Sequence, residues 1–382
     1  MTINLPTDVS FILDTYKKNG FSAYVVGGCV RDALLGKTPT DWDICTDALP
    51  LETIKIFSGF KIIQTGIKHG TLTLFLDSVP YEITTFRTDG NYLDSRHPQS
   101  VEFVRNIEED LKRRDFTVNS MAYNSDGIID LYGGQSDLDS KIIRCVGDAK
   151  TRFGEDALRI MRAIRFCATL NFSIENETKD AIFSLKENLL NIATERINAE
   201  FTKIILSDNV RVFYDYHEIF KLFFGDTIKI DAYKLRNLPK DLETRLSYIL
   251  IALDIDTAIL EKLRYPSKII KAVGEVIKNF DRQCDSERDL RLLISNSSYE
   301  TAYKILTIKS YDIEMLLKVR DLPSKIQDLK ICGDDLIRLG INDGVLIGRI
   351  LNKLLHLVID GNCENSKKSL IETAKMLMEG TV

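Results

Sequence analysis

An apolar run ending in two glycines, Ala23-Tyr24-Val25-Val26-Gly27-Gly28, constrains this chain more than any other stretch. It is followed by Cys29-Val30-Arg31-Asp32 and then by Asp41-Trp42-Asp43-Ile44. The run reads as a short buried strand, and the glycines as a tight turn into a helix that begins near Val30. Residues two apart on a strand share a face, so a strand through Asp41 and Asp43 brings their carboxylates together and turns Trp42 away. Side-by-side carboxylates repel unless a cation lies between them. Hard oxygen donors suit magnesium, and phosphoryl-type transfer uses paired ions to steady the attacking and leaving oxygens. The glycines let the backbone approach a phosphate, and the first N–H groups of the following helix aim at the same place. Taken alone, an Asp-x-Asp after Thr38-Pro39-Thr40 also fits a solvated turn; the apolar residues on both sides favour the strand.

The 382 residues exceed one ordinary core, so two to four structural units are expected. Alternating β-branched and aromatic residues bounded by Gly, Asp or Pro mark strands at Lys61–Thr65, Gly70–Leu76 and Val79–Phe86. These belong to a small α/β unit with a mixed sheet over roughly the first 130 residues. After Asp137 the strand signals fade, and a 3.6-residue period takes over at Asp156–Leu170, Ala193–Leu206 and Gly344–Val358. The rest of the chain therefore reads as helical. The longest apolar run, Leu246–Leu253, stops at Asp254, too short to cross a bilayer. The first residues carry neither a basic segment nor an apolar one, so no secretory signal is expected. Seven scattered cysteines without a Cys-x-x-Cys indicate reduced thiols and a cytoplasmic setting, and four widely spaced histidines speak against a zinc or His–Asp metal site. A net charge of −5 weighs mildly against a nucleic-acid partner, although a basic face can coexist with an acidic remainder.

Three further groups carry chemistry. Glu82, between Tyr81 and Ile83, sits on a strand that can lie beside the Asp41/Asp43 segment, where it can act as a base, as a third metal ligand, or as neither. Arg113-Arg114-Asp115-Phe116 offers a guanidinium fork to a triphosphate; the same string also fits a solvated charge run. In the helix expected from Gly154 onward, Arg159, Arg162 and Arg165 fall on one arc, while Ile160, Met161, Ile164 and Cys167 take the face that packs. Three like charges on one side of a helix call for an anion opposite them, a role a nucleoside triphosphate can fill. Asp156 and Arg159, one turn apart, can read a base. The carboxylate accepts from an exocyclic amino group and the guanidinium donates to an unprotonated ring nitrogen. Cytosine and adenine present that edge; uracil and guanine do not. A plain i,i+3 ion pair between the two is the alternative.

With these residues in hand, the chain resembles the tRNA nucleotidyltransferase/poly(A) polymerase family, and within it the bacterial class II CCA-adding enzymes. The resemblance rests on Gly27-Gly28-x-Val30-Arg31-Asp32 with Asp41-x-Asp43, on Arg113-Arg114-Asp115-Phe116-Thr117-x-Asn119, and on Asp130-Leu131-Tyr132-Gly133-Gly134 with Asp137-Leu138. It continues through Glu155-Asp156-x-x-Arg159-x-x-Arg162-Ala163-x-Arg165-Phe166 and Glu195-Arg196-Ile197-x-x-Glu200-Phe201, about 200 residues in all, and more weakly through Cys332-Gly333-Asp334-Asp335-Leu336. It implies an α+β fold: a polymerase-β-like catalytic head over residues 1–137, then a helical neck (138–205), body (206–270) and tail (271–382) that grip the tRNA acceptor arm. It implies addition of C, C and A to a tRNA 3′ end from CTP and ATP, without a nucleic-acid template and with Mg2+ as cofactor. Carried over residue by residue, Asp41 and Asp43 are metal ligands, Gly28, Arg31 and Arg114 contact the triphosphate, Asp156 and Arg159 read the base, and Arg162 and Arg165 complete the nucleotide contacts. Residues 87–98, with Arg87, Asp89, Tyr92 and Arg96, resemble the family's flexible loop, tied to the switch from C to A. Neither a membrane nor a protein partner is implied. Two rival readings remain at this stage: a poly(A) polymerase or A-only member of the family, and a non-catalytic RNA-binding protein on the same fold.

Overall fold

Period-2 alternation of apolar and polar residues becomes a sheet in the N-terminal part of the chain. The computed structural model describes residues 2–90 and 101–378, and the chain divides into two compact units, residues 1–228 and 229–382. The strands of the first unit are β1 (Ala23–Val26), β2 (Ile44–Thr46), β3 (Lys61–Ile63), β4 (Thr71–Leu76), β5 (Val79–Thr85), β6 (Arg87–Asp89), β7 (Val101–Phe103), β8 (Met121–Asn124) and β9 (Gly127–Asp130). Seven of them form one sheet in the order β3-β4-β5-β2-β1-β8-β9, and β6 pairs with β7 separately. Within the large sheet β2 and β5 run parallel, with Ile44 opposite Ile83, and the other pairings are antiparallel. The alternation decides which face is inward: β4 buries Leu72, Leu74 and Leu76, and β5 buries Tyr81, Ile83 and Thr85.

The helices of this unit are α1 (Thr7–Lys18), α2 (Gly28–Leu34), α3 (Pro50–Ile56), α4 (Ile107–Lys112), α5 (Gly134–Ser140), α6 (Ala149–Glu155), α7 (Leu158–Leu170), α8 (Asn176–Leu185) and α9 (Thr194–Ile205), with two further short ones before residue 228. The regular elements of the second unit are all helical among its described residues, and include Leu242–Leu253, Ser267–Asn279, Glu287–Asn296, Tyr299–Lys309, Gly344–Ile359 and Lys367–Met378. A core around Leu336, Leu354, Leu355 and Leu370 closes its C-terminal part.

Four local expectations are corrected. The first helix after the glycine turn starts at Gly28, two residues before Val30, because Gly27 takes φ +77° and turns the chain there. Asp41 and Asp43 precede β2 instead of lying within it. The Asp43 carbonyl still accepts from the Val26 N–H at 3.0 Å, so the pairing with β1 reaches back to the acids without a full ladder. Strand structure does not end at Asp137: Ile142–Ile143 and Ser173–Ile174 form a short parallel pair that brackets α7 in the chain. The helix carrying the arginines begins at Leu158, since Asp156 is extended (φ −143°, ψ 102°) and ends α6.

Gly134, at the start of α5, is a packing requirement. A Cβ there would lie 2.4 Å from the Thr117 carbonyl oxygen and within 2.9 Å of two Met121 side-chain atoms. Gly134→Ala is expected to destabilise the first unit by about 1–3 kcal/mol, read as a lowered urea midpoint at unchanged slope.

Candidate active site

The turn between β1 and α2 gives the site its floor. Gly27 is small for a reason the sequence did not reveal: a Cβ at Gly27 would come 3.0 Å from the Arg114 guanidinium, and one at Gly28 would come 3.6 Å from that of Arg31. Gly27 therefore admits Arg114 as well as the turn, while the 3.6 Å approach at Gly28 is an ordinary contact. Seven residues of helix follow, and its first N–H groups lack intrahelical acceptors.

The acids meet at one edge of this turn. Because β2 and β5 are parallel with Ile44 opposite Ile83, Glu82 is brought alongside Asp43. The Asp43 carboxyl is raised above the usual carboxylate range, first by surrounding protein atoms, then by the charges of Asp41 and Glu82, with Arg114 opposing. Its surface remains open to solvent, so the like charges are the part of this shift that a cation can relieve. Asp41 is also exposed and accepts from the Thr40 hydroxyl at 3.1 Å. Among the described residues no three His, Cys, Asp or Glu side chains are close enough to hold a metal ion by themselves. Two carboxylates completed by phosphate oxygens and water are what Mg2+ ordinarily takes, and the crowding at Asp43 fits such an ion. Beside it, burial and then Asp43 push the Cys29 thiol up to about 11, which leaves it protonated and unreactive.

The arginines are organised by buried carboxylates that the sequence reading did not single out. Asp110, fully buried at the end of α4, accepts from Arg113 at 2.7 Å and from Arg114 at 3.1 Å. Burial alone would raise its carboxyl; the two guanidiniums hold it below the usual range. Burial likewise disfavours the Arg114 charge, but Asp110 and, further off, Asp43 keep it above its ordinary value. The Nε of Arg114 is buried without a hydrogen-bond partner, a donor that an incoming anion can satisfy. Arg31, buried on α2, is held by Asp32 at 2.8 Å and by the Asn119 side-chain oxygen at 2.7 Å.

On α7, Arg162 pairs with Asp115 at 2.6 Å, and Glu200 from α9 pairs with Arg165 at 2.5 Å and Arg162 at 3.5 Å. Arg159 pairs with Glu155 at 2.5 Å and donates to the Arg152 carbonyl at 2.9 Å. The anions that face this arc in the structure are thus carboxylates of the chain itself. Asp156 and Arg159 do not pair with each other. The Asp156 carboxylate takes two bonds from Arg196 on α9, at 3.2 and 2.7 Å, and one from the Leu158 N–H at 3.1 Å. The simple i,i+3 ion pair is therefore excluded, and so is their placement on one continuous helix.

Of the loop residues, Arg87 lies on β6, where its backbone N–H reaches Asp110 and its guanidinium reaches the His69 carbonyl. Asp89 pairs through its backbone with Val101. Tyr92 and Arg96 lie outside the described residues. Helical spacing was a signal for Asp110, which stands four residues before Arg114; Glu200, whose partners lie on another helix, had none.

Three family models match successive parts of the chain. They are described as poly A polymerase head domain (residues 23–144), probable RNA and SrmB-binding site of polymerase A (171–224) and tRNA nucleotidyltransferase domain 2 (241–374). A CCA-adding enzyme of Ligilactobacillus salivarius is 39% identical, the match covering 97% of this chain and 96% of the relative. One of Leuconostoc mesenteroides is 36% identical, with 96% of each covered. Among solved structures, the Bacillus stearothermophilus CCA-adding enzyme in complex with CTP superposes with a TM-score of 0.83 at 29% identity, covering 97% of both chains.

The Asp115–Arg162 pair makes acid stability measurable. Burial would raise the Asp115 carboxyl, but Arg162, then Asn119, bring it down to about 2 from an ordinary 3.8. A depressed carboxylate contributes stability that is complete above its unfolded value and lost as pH falls through its folded one, here on the order of 2 kcal/mol between about pH 4 and 2. Asp115→Asn is expected to be less stable than the wild type at pH 7, and to lose less further stability between pH 4 and 2 in urea titrations.

Proposed function

The chain belongs to the CCA-adding enzyme family, and from that premise we propose that it adds C, C and A in turn to the 3′ end of tRNA, using CTP and ATP and releasing pyrophosphate. The observation that carries this reading is the Asp43 carboxylate, crowded by Asp41 and Glu82 and facing Arg114 across the glycine turn. An excess of negative charge beside an excess of positive charge is what a cation-bound triphosphate complements. The match of residues 241–374 to a tRNA nucleotidyltransferase domain favours this reading over a poly(A) polymerase, because the head alone serves both. Unpaired acids next to RNA phosphates have no use in a protein that only binds RNA.

In this reading Asp41 and Asp43 hold divalent ions, Mg2+ being the one that suits two carboxylates and phosphate oxygens. When bound, such ions neutralise the phosphates and lower the barrier to displacement. Glu82, alongside Asp43, is placed to receive the proton of the tRNA 3′-hydroxyl as that oxygen attacks the α-phosphorus in line with the departing pyrophosphate. Gly28 leaves room for the phosphates, and Arg31 and Arg114 hold them, the unsatisfied Nε of Arg114 gaining its partner. Asp156 accepts from the amino group of cytosine or adenine, Arg159 donates to the ring nitrogen, and Arg162 and Arg165 close the nucleotide site. Uracil and guanine leave these groups opposed by the wrong partners, which is costly once water is excluded.

A four-part division at residues 137, 205 and 270 belongs to the same proposal. It is finer than the two compact units, whose boundary at 228/229 falls inside the expected body. Residues 271–382 are assigned to the tRNA acceptor arm, and the segment 87–98 to the change from C to A. No helix among the described residues is long and apolar enough to cross a membrane, and a cytoplasmic setting suits seven free thiols.

Purified protein offered a tRNA lacking its last three nucleotides is expected to add three residues from CTP plus ATP and then stop. A long A tail from ATP alone would favour the poly(A) reading. Asp41→Ala or Asp43→Ala is expected to cut incorporation by at least about 10³-fold while tRNA binding in gel shift persists. Arg159→Ala is expected to reduce the preference for CTP over UTP by about 10- to 100-fold in single-turnover assays; unchanged preference contradicts the base-reading role.

A further inference from the structure

Phe166, on α7 between the arginine face and the core, is only 4% exposed, and three guanidiniums converge on its ring. The central carbon of Arg165 lies 3.6 Å from the ring centroid, that of Arg31 5.2 Å and that of Arg162 5.5 Å. The ring of Phe116 meets it edge to face, at 5.6 Å and 79°. Core packing asks only for an apolar side chain at this position. A ring with its negative face toward several cations does more: it attracts each of them without adding a further negative charge to those of Asp32, Asp115 and Glu200. A carboxylate at the same place would take that charge away. Arg31 comes from α2, beside the glycine turn, whereas Arg162 and Arg165 come from α7, so a single ring registers the phosphate end of the site against its other arginines.

We propose that Phe166 is a positioning residue for the nucleotide: its π face fixes Arg31, Arg162 and Arg165 relative to one another in the arrangement that receives the triphosphate. The inference rests on the reading of those arginines as nucleotide contacts, and it adds a residue that itself touches no substrate. The requirement is electronic as well as steric, which separates it from a purely structural role.

The test replaces Phe166 in the full-length protein with 3,4,5-trifluorophenylalanine, which keeps the ring's shape and removes most of the negative potential of its face. The expected result is a rise of about fivefold in KM for both CTP and ATP. The kcat, the KM for tRNA and the melting temperature are expected to stay near wild-type values, and Phe166→Tyr, which retains the face, is expected to match the wild type. Wild-type KM values in the fluorinated protein overturn the proposal, as does equal impairment of the fluorinated and Phe166→Tyr proteins, since both point to packing alone. Arg31→Ala, measured in parallel, separates the two levels. If it leaves the nucleotide KM unchanged, the site reading falls and the inference with it; if it raises KM while the fluorinated protein does not, only the inference falls.

Discussion

Sharing of buried and half-buried carboxylates between arginines is the constraint on which the rest of the N-terminal unit depends. Asp110 serves Arg113 and Arg114, Glu155 serves Arg152 and Arg159, and Glu200 serves Arg162 and Arg165. An arginine buried without an anion is prohibitively costly, while one matched acid for every arginine would leave a site with no pull on a phosphate. Shared acids lie between these limits, with Arg162 holding two of them, Asp115 and Glu200. Each guanidinium has a partner that fixes its fork, and the cluster keeps a positive surplus. Removing one shared acid loosens two guanidiniums at once, although Arg162 keeps Asp115 when Glu200 is lost.

Across the glycine turn the balance reverses. Asp41 and Glu82 crowd Asp43, and the charge opposing them there is Arg114, already engaged with Asp110. The two zones touch at Gly27, whose missing side chain lets the Arg114 guanidinium approach the turn. In the proposed reading, a triphosphate with its divalent ions carries both signs of charge in the matching order, so the repulsion among the acids is set against ligand rather than relaxed internally. The proposed base-reading pair follows the same pattern. Arg196 and Glu155 hold Asp156 and Arg159 apart, each oriented by a neighbour instead of being spent on the other.

Much of this was legible in the sequence. The strands at Thr71–Leu76 and Val79–Thr85 announced themselves by strict alternation, and the helices at Leu158–Leu170, Thr194–Ile205 and Gly344–Ile359 by their period. The acid pair, the glycine turn and the arginine arc were visible because each is local. What could not be read depends on distant partners. Nothing in the order of residues says that Asp115 will reach Arg162, that Glu200 will reach Arg165, or that Phe166 will meet Arg31. The helix break at Asp156 was hidden because apolar periodicity runs through it, and it took the bonds from Arg196 to show that the residue is held outside both flanking helices. The two-residue strands at Ile142 and Ser173 are too short to carry an alternation at all.

A crystal structure of the protein soaked with CTP and Mg2+ tests the central claim most directly. The account predicts a metal ion against Asp41 and Asp43 and the phosphate chain on Arg31 and Arg114, with the cytosine edge on Asp156 and Arg159. A nucleotide bound elsewhere, or one seated there with its phosphates turned away from the arginines, would contradict it.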